Sequence, residues 1–256
     1  TCTGHWTGLP GLTFDCWLSA GHGRLNLVSG LTQSCNSVFY ELGKRLDESD
    51  PAALPSFAAQ CGFGASTGAL PGQEPEGIVP GPAWKRQALQ QPWVRGDAVN
   101  MAIGQGQLLV TPLQVASLYA AIAAGGQRPG SRLLDRALLP GGNVERLLAP
   151  PGAAPAAPLP WSAATLDAVR AGLRDVVGGP NGTAAFVFQG SPLVPITAGK
   201  TGTAEAGPGR APHAWFACFA PIDAPRVVVL AMVEHGGEGS QVAAPVARRV
   251  LEAALR

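Results

Sequence analysis

The sequence predicts an α+β fold, in which helical segments precede a group of β-strands and a further helix ends the chain. Three observations carry this prediction. Apolar residues recur at spacings of three and four in several stretches before residue 180, strand-like runs fill residues 196–235, and an amphipathic pattern returns over residues 240–255. Helices followed by a run of strands are typical of an α+β protein, whereas a parallel α/β sheet requires regular alternation.

The first half of the chain predicts two helices and long connections. The first 25 residues are rich in glycine, tryptophan and threonine, which is typical of an irregular loop. A short helix is expected at residues 27–31, and a break near Ser34 separates it from a helix over residues 37–46. Residues 47–110 hold many glycines and prolines, so little regular structure is expected there.

Two later helices have clear starting signals. Thr111-Pro112-Leu113-Gln114 combines an N-cap threonine, a proline at the first helical position and a glutamine at the third. The helix expected over residues 112–124 is apolar nearly all round, which predicts burial, and Gly125-Gly126 ends it. Ser162 is expected to cap the next helix, which ends at Gly178-Gly179-Pro180.

The rest of the chain predicts an excursion and then a sheet. Residues 129–160 carry much proline, glycine and alanine, so an exposed excursion is expected, with an edge hairpin as an open alternative. Strands are expected over residues 196–204, 213–220 and 226–235. Ser240 is expected to cap the final helix, one face of which would consist of Val242, Val246, Val250 and Leu255.

The composition describes a globular chain with a substantial core. Of the 256 residues, 46% are apolar and 14% are charged, and the formal net charge is +1 at pH 7. No basic stripe with interleaved aromatic residues is present, which argues against nucleic acid as a partner. No apolar run reaches about 18 residues, so no transmembrane helix is expected. The first residues, Thr1-Cys2-Thr3-Gly4-His5, lack the charged start and apolar stretch of a signal peptide.

Five cysteines and four histidines give no sequence signature of a metal site. The cysteines stand at positions 2, 16, 35, 61 and 218, and the absence of any Cys-x-x-Cys pair argues against structural zinc. The histidines show no ligand spacing. We therefore expect no metal and no other cofactor. A disulfide between Cys2 and Cys16 in an oxidising compartment stays open.

Two short motifs match enzyme signatures but fail the tests of structural context. Gly199-Lys200-Thr201 resembles the end of a phosphate-binding loop, yet Val194 stands where that loop needs glycine, and Ala206-Gly207-Pro208-Gly209 prevents the required helix. Gly64-Ala65-Ser66-Thr67-Gly68 fits the Gly-x-Ser-x-Gly pattern, but the segment after it cannot be helical throughout, as a nucleophile elbow requires. Both are interpreted as chance matches.

Lys200-Thr201-Gly202-Thr203 and Ser34-Cys35-Asn36 are the candidate functional segments. The first places a cation and two hydroxyls on a predicted strand edge, where they can hold a carboxylate, and Gly202 lets a substrate backbone approach closely. The chain has only three lysines against fifteen arginines, and one lysine is here. Purely structural roles remain the alternative: Ser34 as a helix cap, and the threonines as partners for strand-edge backbone groups.

With these residues in place, the chain resembles the class B penicillin-binding proteins, most closely the penicillin-binding protein 2 group. The segment around Ser34-Cys35-Asn36, residues 99–106 leading into Thr111-Pro112-Leu113-Gln114, the segment Asn181-Gly182-Thr183-Ala184 and the Lys-Thr-Gly-Thr strand follow in the family's order. Ala243-Ala244-Pro245-Val246-Ala247 closes the match. Because the segments span nearly the whole chain in order, the resemblance is highly specific.

The resemblance implies both a fold and an activity. The fold is the penicillin-recognising one, an antiparallel sheet with helices on both faces plus a helical subdomain. Residues 1–256 would form one transpeptidase domain that is incomplete at its N-terminus, with residues 24–125 as the mostly helical part and residues 190–256 as the sheet strands and the C-terminal helix. The activity is that of a peptidoglycan DD-transpeptidase, which cross-links stem peptides through a serine acyl-enzyme and is a target of β-lactams.

Residue roles follow from the same resemblance. Ser34 would relay protons to the leaving amine, and Asn36 would hold the substrate amide or orient a lysine. Lys200 would place positive charge beside Ser34 and the substrate carboxylate, which the hydroxyls of Thr201 and Thr203 would bind. The Thr203 N–H would supply half of the oxyanion hole, where losing one such donor costs about 2.7–4 kcal/mol.

The family's nucleophile is missing from this sequence. No serine has a lysine three positions later, so the Ser-x-x-Lys motif is absent from these 256 residues, and the chain alone is expected to be inactive. Either a longer protein supplies the motif, or the chain is a remnant without chemistry of its own; the complete Lys-Thr-Gly-Thr segment favours the first. The alternative function is a non-catalytic, sensor-type module that binds β-lactams or peptidoglycan peptides.

The resemblance also implies partners and a location. The partners would be stem peptides ending in D-Ala-D-Ala, β-lactams, and a membrane glycan polymerase of the elongation machinery. The parent protein would lie at the periplasmic, extracytoplasmic face of the bacterial cell membrane, with its anchor outside this chain.

Overall fold

The computed structural model describes residues 1–70, 72–131, 133, 136–138, 144–147 and 157–256. Within these residues, a group of short helices leads into an antiparallel three-stranded sheet with helices packed on it, so the predicted α+β class is confirmed. Pro71 and most of the predicted excursion at residues 129–160 lie outside the described residues. None of the described helices has the length and apolar character needed to cross a membrane.

In the described first half of the chain, six helices follow a hairpin whose two strands have two residues each. The hairpin pairs β1 (His5–Trp6) with β2 (Phe14–Asp15) in a segment where only loop was expected. The helices are α1 (Leu27–Thr32), α2 (Asn36–Ser49), α3 (Ala53–Gln60), α4 (Pro82–Leu89), α5 (Arg95–Met101) and α6 (Pro112–Ala123).

The expectation of little regular structure over residues 47–110 was wrong, because α3, α4 and α5 lie there. Proline marks the start of α4 rather than a break, since Pro82 occupies the first helical position after the extended Gly81. Asp97 accepts a hydrogen bond from the Val94 N–H at the start of α5 and also pairs with the buried Lys85 at 2.6 Å. Short helices of this kind are stabilised by such tertiary contacts more than by periodicity.

The start of α6 confirms its predicted capping. The Thr111 hydroxyl accepts from the Gln114 N–H at 3.1 Å, and the Gln114 side chain accepts from the Thr111 N–H at 2.9 Å. The predicted burial of this helix is also confirmed, since Tyr119, Ala121 and Ile122 belong to the core.

In the described part of the chain between α6 and the sheet, a pair of short strands and two more helices are present. Strands β3 (Arg136–Leu138) and β4 (Val144–Leu147) pair antiparallel as supposed for an edge hairpin, but they form a two-stranded sheet of their own. Helix α7 (Ala163–Gly178) begins at Ser162, whose hydroxyl accepts from the Thr165 N–H at 3.1 Å, as predicted. Helix α8 (Ala185–Phe188) and a 3-10 turn (Val194–Ile196) then lead into the sheet.

The sheet consists of β5 (Ala198–Ala204), β6 (His213–Ala220) and β7 (Val227–Val233), in that order and antiparallel throughout. Helices α8 and α9 (Ala243–Ala254) cover one face, where Phe188, Phe216 and Leu251 are fully buried. Helices α6 and α7 cover the other face around Phe219. Helices on both faces were predicted and are confirmed. Strand β5 is at one edge of the described sheet.

The predicted details of α9 were wrong in two respects. The helix begins at Ala243 after Val242, so Ser240 does not cap it. Val246 and Val250 are 47% and 46% exposed, while the sheet side consists of Ala243, Ala244, Ala247 and Leu251. Val242 and Leu255 do pack against the core, so the predicted face was wrong at Val246 and Val250, where alanines allow α9 to lie close to the sheet.

Candidate active site and metal centre

The free edge of β5 presents backbone groups as well as side chains. In an antiparallel strand, successive residues direct both their N–H and C=O groups alternately towards and away from the neighbouring strand. The Thr201 carbonyl accepts from Lys200 Nζ at 2.8 Å, and the Thr203 carbonyl accepts from Gln105 Nε2 at 3.2 Å. Both threonines therefore direct their backbone groups away from β6, and the Thr203 N–H lies on the free edge.

Lys200 and Ser34 meet at this edge although 166 positions separate them in the chain. Lys200 Nζ donates to Ser34 Oγ at 2.8 Å. Burial disfavours the charged ammonium and lowers the pKa of Lys200 to about 8. The ammonium that touches the Ser34 hydroxyl is therefore charged below about pH 8 and loses its proton as the pH rises through that value.

Ser34 lies in a strained turn between α1 and α2. Its φ of 53° is in the left-handed region, which non-glycine residues seldom adopt. Cys35, not Ser34, is the N-cap of α2, and no side chain caps that helix. The structural alternative of a capping serine is therefore not observed. Strain of this kind concentrates at functional sites.

Further side chains hold the two threonines of β5. Thr183, in the loop after α7, forms a hydroxyl–hydroxyl hydrogen bond of 2.7 Å with Thr201. The Gly239 N–H donates to the Thr203 hydroxyl at 3.3 Å. A Cβ at Gly239 would lie 2.2 Å from the Gly202 carbonyl oxygen, so only glycine fits over β5 at this point.

Asn36 faces a different partner. Its Nδ2 donates to the Asp15 carbonyl at 3.3 Å, which ties the first turn of α2 to β2. The structure thus brings Ser34, Lys200, Thr201 and Thr203 together, whereas the Asn36 amide is engaged by the backbone of the N-terminal hairpin.

A second cluster lies directly beside this site. Cys2, Cys16, His22 and Cys35 each direct one ligand atom to a common point, and these atoms all lie within 4.8 Å of one another. Their three sulfurs are almost fully buried. His22 Nδ1 is 3.6 Å from Cys2 Sγ and 3.5 Å from Cys16 Sγ.

The cluster has the donor set of a structural zinc site. Zn–S distances of about 2.3 Å and Zn–N distances of about 2.0–2.1 Å in a tetrahedron give an S···N edge of about 3.6 Å. Burial raises the pKa of the Cys2 thiol, but hydrogen bonds from Ser37, the His22 and Gly4 backbone and the His22 ring outweigh it and lower the pKa to about 5. Burial raises the pKa of the neighbouring Cys35 thiol to about 12, so of these two thiols only that of Cys2 is favoured as a thiolate.

No ligand spacing in the sequence indicated this cluster, which the fold assembles from separate segments. The prediction relied on short Cys-x-x-Cys spacing, but these ligands come from separate segments that folding brings together. The Cys2 N–H donates to the Gly23 carbonyl, and the Cys16 N–H to the Gly4 carbonyl, both at 2.8 Å. Cys2 and Cys16 are free thiols in the structure.

Several residues of the site were not predicted to have a role. Thr183 and Gln105 lie in segments that carried the family resemblance, but nothing in their spacing indicated contact with β5. The cysteine–histidine cluster could have been suspected only from the number of cysteines within the first 35 residues.

A strand edge with Lys-Thr-Gly-Thr, a serine bonded to that lysine and a backbone N–H directed away from the neighbouring strand has the form of an acyl-transfer site of the penicillin-recognising class. Residues 3–252 match the Penicillin binding protein transpeptidase domain family. The chain belongs to this family.

The chain is similar to proteins of the penicillin-binding protein 2 group. It is 32% identical to the peptidoglycan D,D-transpeptidase MrdA of Haemophilus influenzae, over 97% of this chain and 39% of that protein. It superposes on Pseudomonas aeruginosa PBP2, solved in complex with WCK 5153, with a TM-score of 0.84 and 31% identity over 98% of this chain and 52% of that one.

It also superposes on PBP2 of Helicobacter pylori in a complex with MreC, with a TM-score of 0.79 and 29% identity, over all of this chain and 46% of that one. These matches confirm the penicillin-recognising fold. The chain spans about two fifths of the length of the H. influenzae relative and about half of the solved chains.

Proposed function

We propose that this chain is part of a peptidoglycan DD-transpeptidase that cross-links stem peptides through a serine acyl-enzyme. The observation that carries the proposal is the 2.8 Å contact between Lys200 Nζ and Ser34 Oγ at the free edge of β5. Similarity to D,D-transpeptidases over nearly the whole chain supports it. The Ser-x-x-Lys nucleophile would be contributed by a longer polypeptide that includes this chain.

The acyl donor would lie along β5. Its terminal carboxylate would meet Lys200 and the Thr201 and Thr203 hydroxyls, and the scissile carbonyl oxygen would face the Thr203 N–H. The nucleophilic serine would attack that carbonyl, so that the C–N bond to the terminal D-Ala breaks and the acyl group stays on the serine. Ser34 would pass a proton to the departing amine, and an amine of a second stem peptide would then take the acyl group.

Asn36 has a more limited role in this proposal. One N–H of its amide bonds the Asp15 carbonyl, so the second N–H and the amide oxygen would be the groups that meet the substrate amide. A β-lactam would enter the same site as a mimic of D-Ala-D-Ala.

The metal centre would stabilise the segment that carries Ser34 and Asn36. Zn²⁺ held by Cys2, Cys16, His22 and Cys35 would fix Cys35, and Cys35 lies between Ser34 and Asn36. The metal would be structural, because all four tetrahedral positions would be taken by protein ligands.

Partners and location follow from the proposed activity. The substrates would be stem peptides ending in D-Ala-D-Ala, which lie outside the cytoplasmic membrane. The H. pylori relative forms a complex with MreC, so an MreC-type protein is a candidate partner here, together with a membrane glycan polymerase.

Two assays on the full-length protein test the proposal. Stoichiometric labelling by a fluorescent penicillin together with cross-linking of lipid-linked or polymerised stem peptides is expected. Labelling without cross-linking would identify a sensor-type module instead. In parallel, intact-mass analysis of the isolated 256-residue chain with penicillin is expected to show no adduct; a stoichiometric adduct would contradict the assignment of the nucleophile to another segment.

A further inference from the structure

Gln105 reaches across to β5 from the helical part of the chain. It stands between Gly104 and Gly106, whose φ angles are both 76°, in the turn that follows α5. Its Nε2 donates to the Thr203 carbonyl at 3.2 Å. Gln105 therefore contacts Thr203, whose N–H lies on the outer edge of β5, although 98 positions separate the two residues in the chain.

The turn that carries Gln105 is well anchored. The Gln105 N–H donates to the Asn100 carbonyl at 3.0 Å, and Val99 and Met101 of α5 are buried. At the other end of α5, the Lys85–Asp97 ion pair is buried as well. The side-chain amide therefore extends from a fixed base, which is what positioning another group requires.

Thr203 is consequently held at two atoms. Gln105 binds its carbonyl oxygen, and the Gly239 N–H binds its hydroxyl. Because the N–H and C=O of one antiparallel residue point to the same side, fixing the carbonyl also fixes the direction of the N–H. The Thr203 carbonyl keeps a second lone pair, so an extended peptide can still pair with this edge.

We propose that Gln105 is a positioning residue for acyl transfer, which holds the Thr203 backbone so that its N–H faces the developing oxyanion. This inference rests on the proposed function, because it assigns that N–H to the oxyanion hole. Gln105 touches neither substrate nor nucleophile in this role. Its effect should therefore fall on the rate of the acylation step rather than on initial binding.

The test compares variants of the full-length protein in their reaction with penicillin. Gln105→Ala is expected to lower the acylation rate constant about tenfold, less than the 10²–10³ that follows removal of an oxyanion donor itself, with the non-covalent dissociation constant unchanged. Gln87→Ala, at an exposed position of α4, is the matched control and should react as the wild type does. Equal acylation rates in Gln105→Ala and wild type would overturn the proposal.

A pH profile separates positioning from mere structural support. In Gln105→Glu the carboxylate cannot donate to the Thr203 carbonyl, whereas the protonated acid can. Relative to wild type at each pH, acylation by this variant should recover as the pH falls towards about 4–5, near the pKa of glutamate. A ratio that stays constant with pH would contradict the inference.

Failure of penicillin to acylate the wild-type protein would refute the proposed function alone. A spectroscopic measurement still tests whether Gln105 positions Thr203 in that case. The carbonyl-carbon and amide-nitrogen chemical shifts of Thr203 should both move in Gln105→Ala and stay in place in Gln87→Ala. If neither shift moves, Gln105 does not position Thr203.

Discussion

At the scale of single residues, the proposed acyl-transfer site rests on Lys200 and its contact with Ser34. The sequence indicated both residues through the family resemblance, but the physical reason for their pairing is visible only in the fold. Ser34 adopts a left-handed backbone in the turn before α2, and Lys200 extends from β5 to meet it. No local pattern predicts a contact across 166 positions.

The lowered pKa of Lys200 gives a pH dependence. In the free protein the ammonium is charged below pH 8 and loses its proton as the pH rises through about 8, because burial favours the neutral amine. Recognition of a penicillin carboxylate should therefore weaken above this pH, by about tenfold per pH unit once deprotonation dominates.

The second-order acylation rate constant of the full-length protein, measured between about pH 6 and 10, checks this prediction. Lys200→Arg is the control, since a guanidinium keeps its charge over that range and should lack the decline. A wild-type profile that stays flat through pH 9 would show that the charge on Lys200 does not contribute.

At the scale of elements, the sequence predicted the long elements better than the short ones. Strong caps at Thr111 and Ser162 identified α6 and α7, and β-rich runs identified the sheet. Helices α3 to α5 were missed because they are only seven or eight residues long and contain glycine or proline, which in α4 marks the helix start. The cysteine–histidine cluster was missed because its residues belong to no single element.

The corrected face of α9 predicts a contrast between neighbouring residues. Leu251 is fully buried against the sheet, so Leu251→Ala should cost about 2–5 kcal/mol of unfolding free energy. Val250 is 46% exposed, and Val250→Ala should cost far less. Chemical denaturation of the two variants measures both; equal losses would mean that the helix packs through the face originally predicted.

The cysteine–histidine cluster predicts one bound Zn²⁺ per chain after purification. Elemental analysis should find this zinc in the wild type and lose it in Cys35→Ser, because a hydroxyl replaces one of four ligands. Cys61→Ser alters a buried thiol outside the cluster and should retain the metal. Removal of zinc with a chelator should lower the melting temperature, since metal binding stabilises the folded state.

Zinc-free wild-type protein with an unchanged melting temperature would contradict the metal assignment. A disulfide between Cys2 and Cys16, detected by intact mass after alkylation, would instead revive the alternative that the sequence left open.

At the scale of the whole molecule, the helical part and the sheet meet along β5. Ser34 and Gln105 come from the helical part, while Thr183 and Gly239 come from loops beside α7 and α9. The family resemblance predicted the fold, which is confirmed, and it named the proposed site residues because their motifs are local. The hydrogen bonds that Gln105, Thr183 and Gly239 form with β5 could not be predicted, because each joins segments that are distant in the chain.

The most direct test of the central claim, that the Lys200 edge of β5 is one side of a penicillin-recognising acyl-transfer site, is the rate at which a fluorescent penicillin labels the full-length protein. Lys200→Ala is expected to slow labelling by about 100-fold or more, because it removes the charge beside both the carboxylate and Ser34. Lys44→Ala, which removes an ammonium paired with Glu48 on α2, should label at the wild-type rate. Labelling of Lys200→Ala at the wild-type rate would contradict the account.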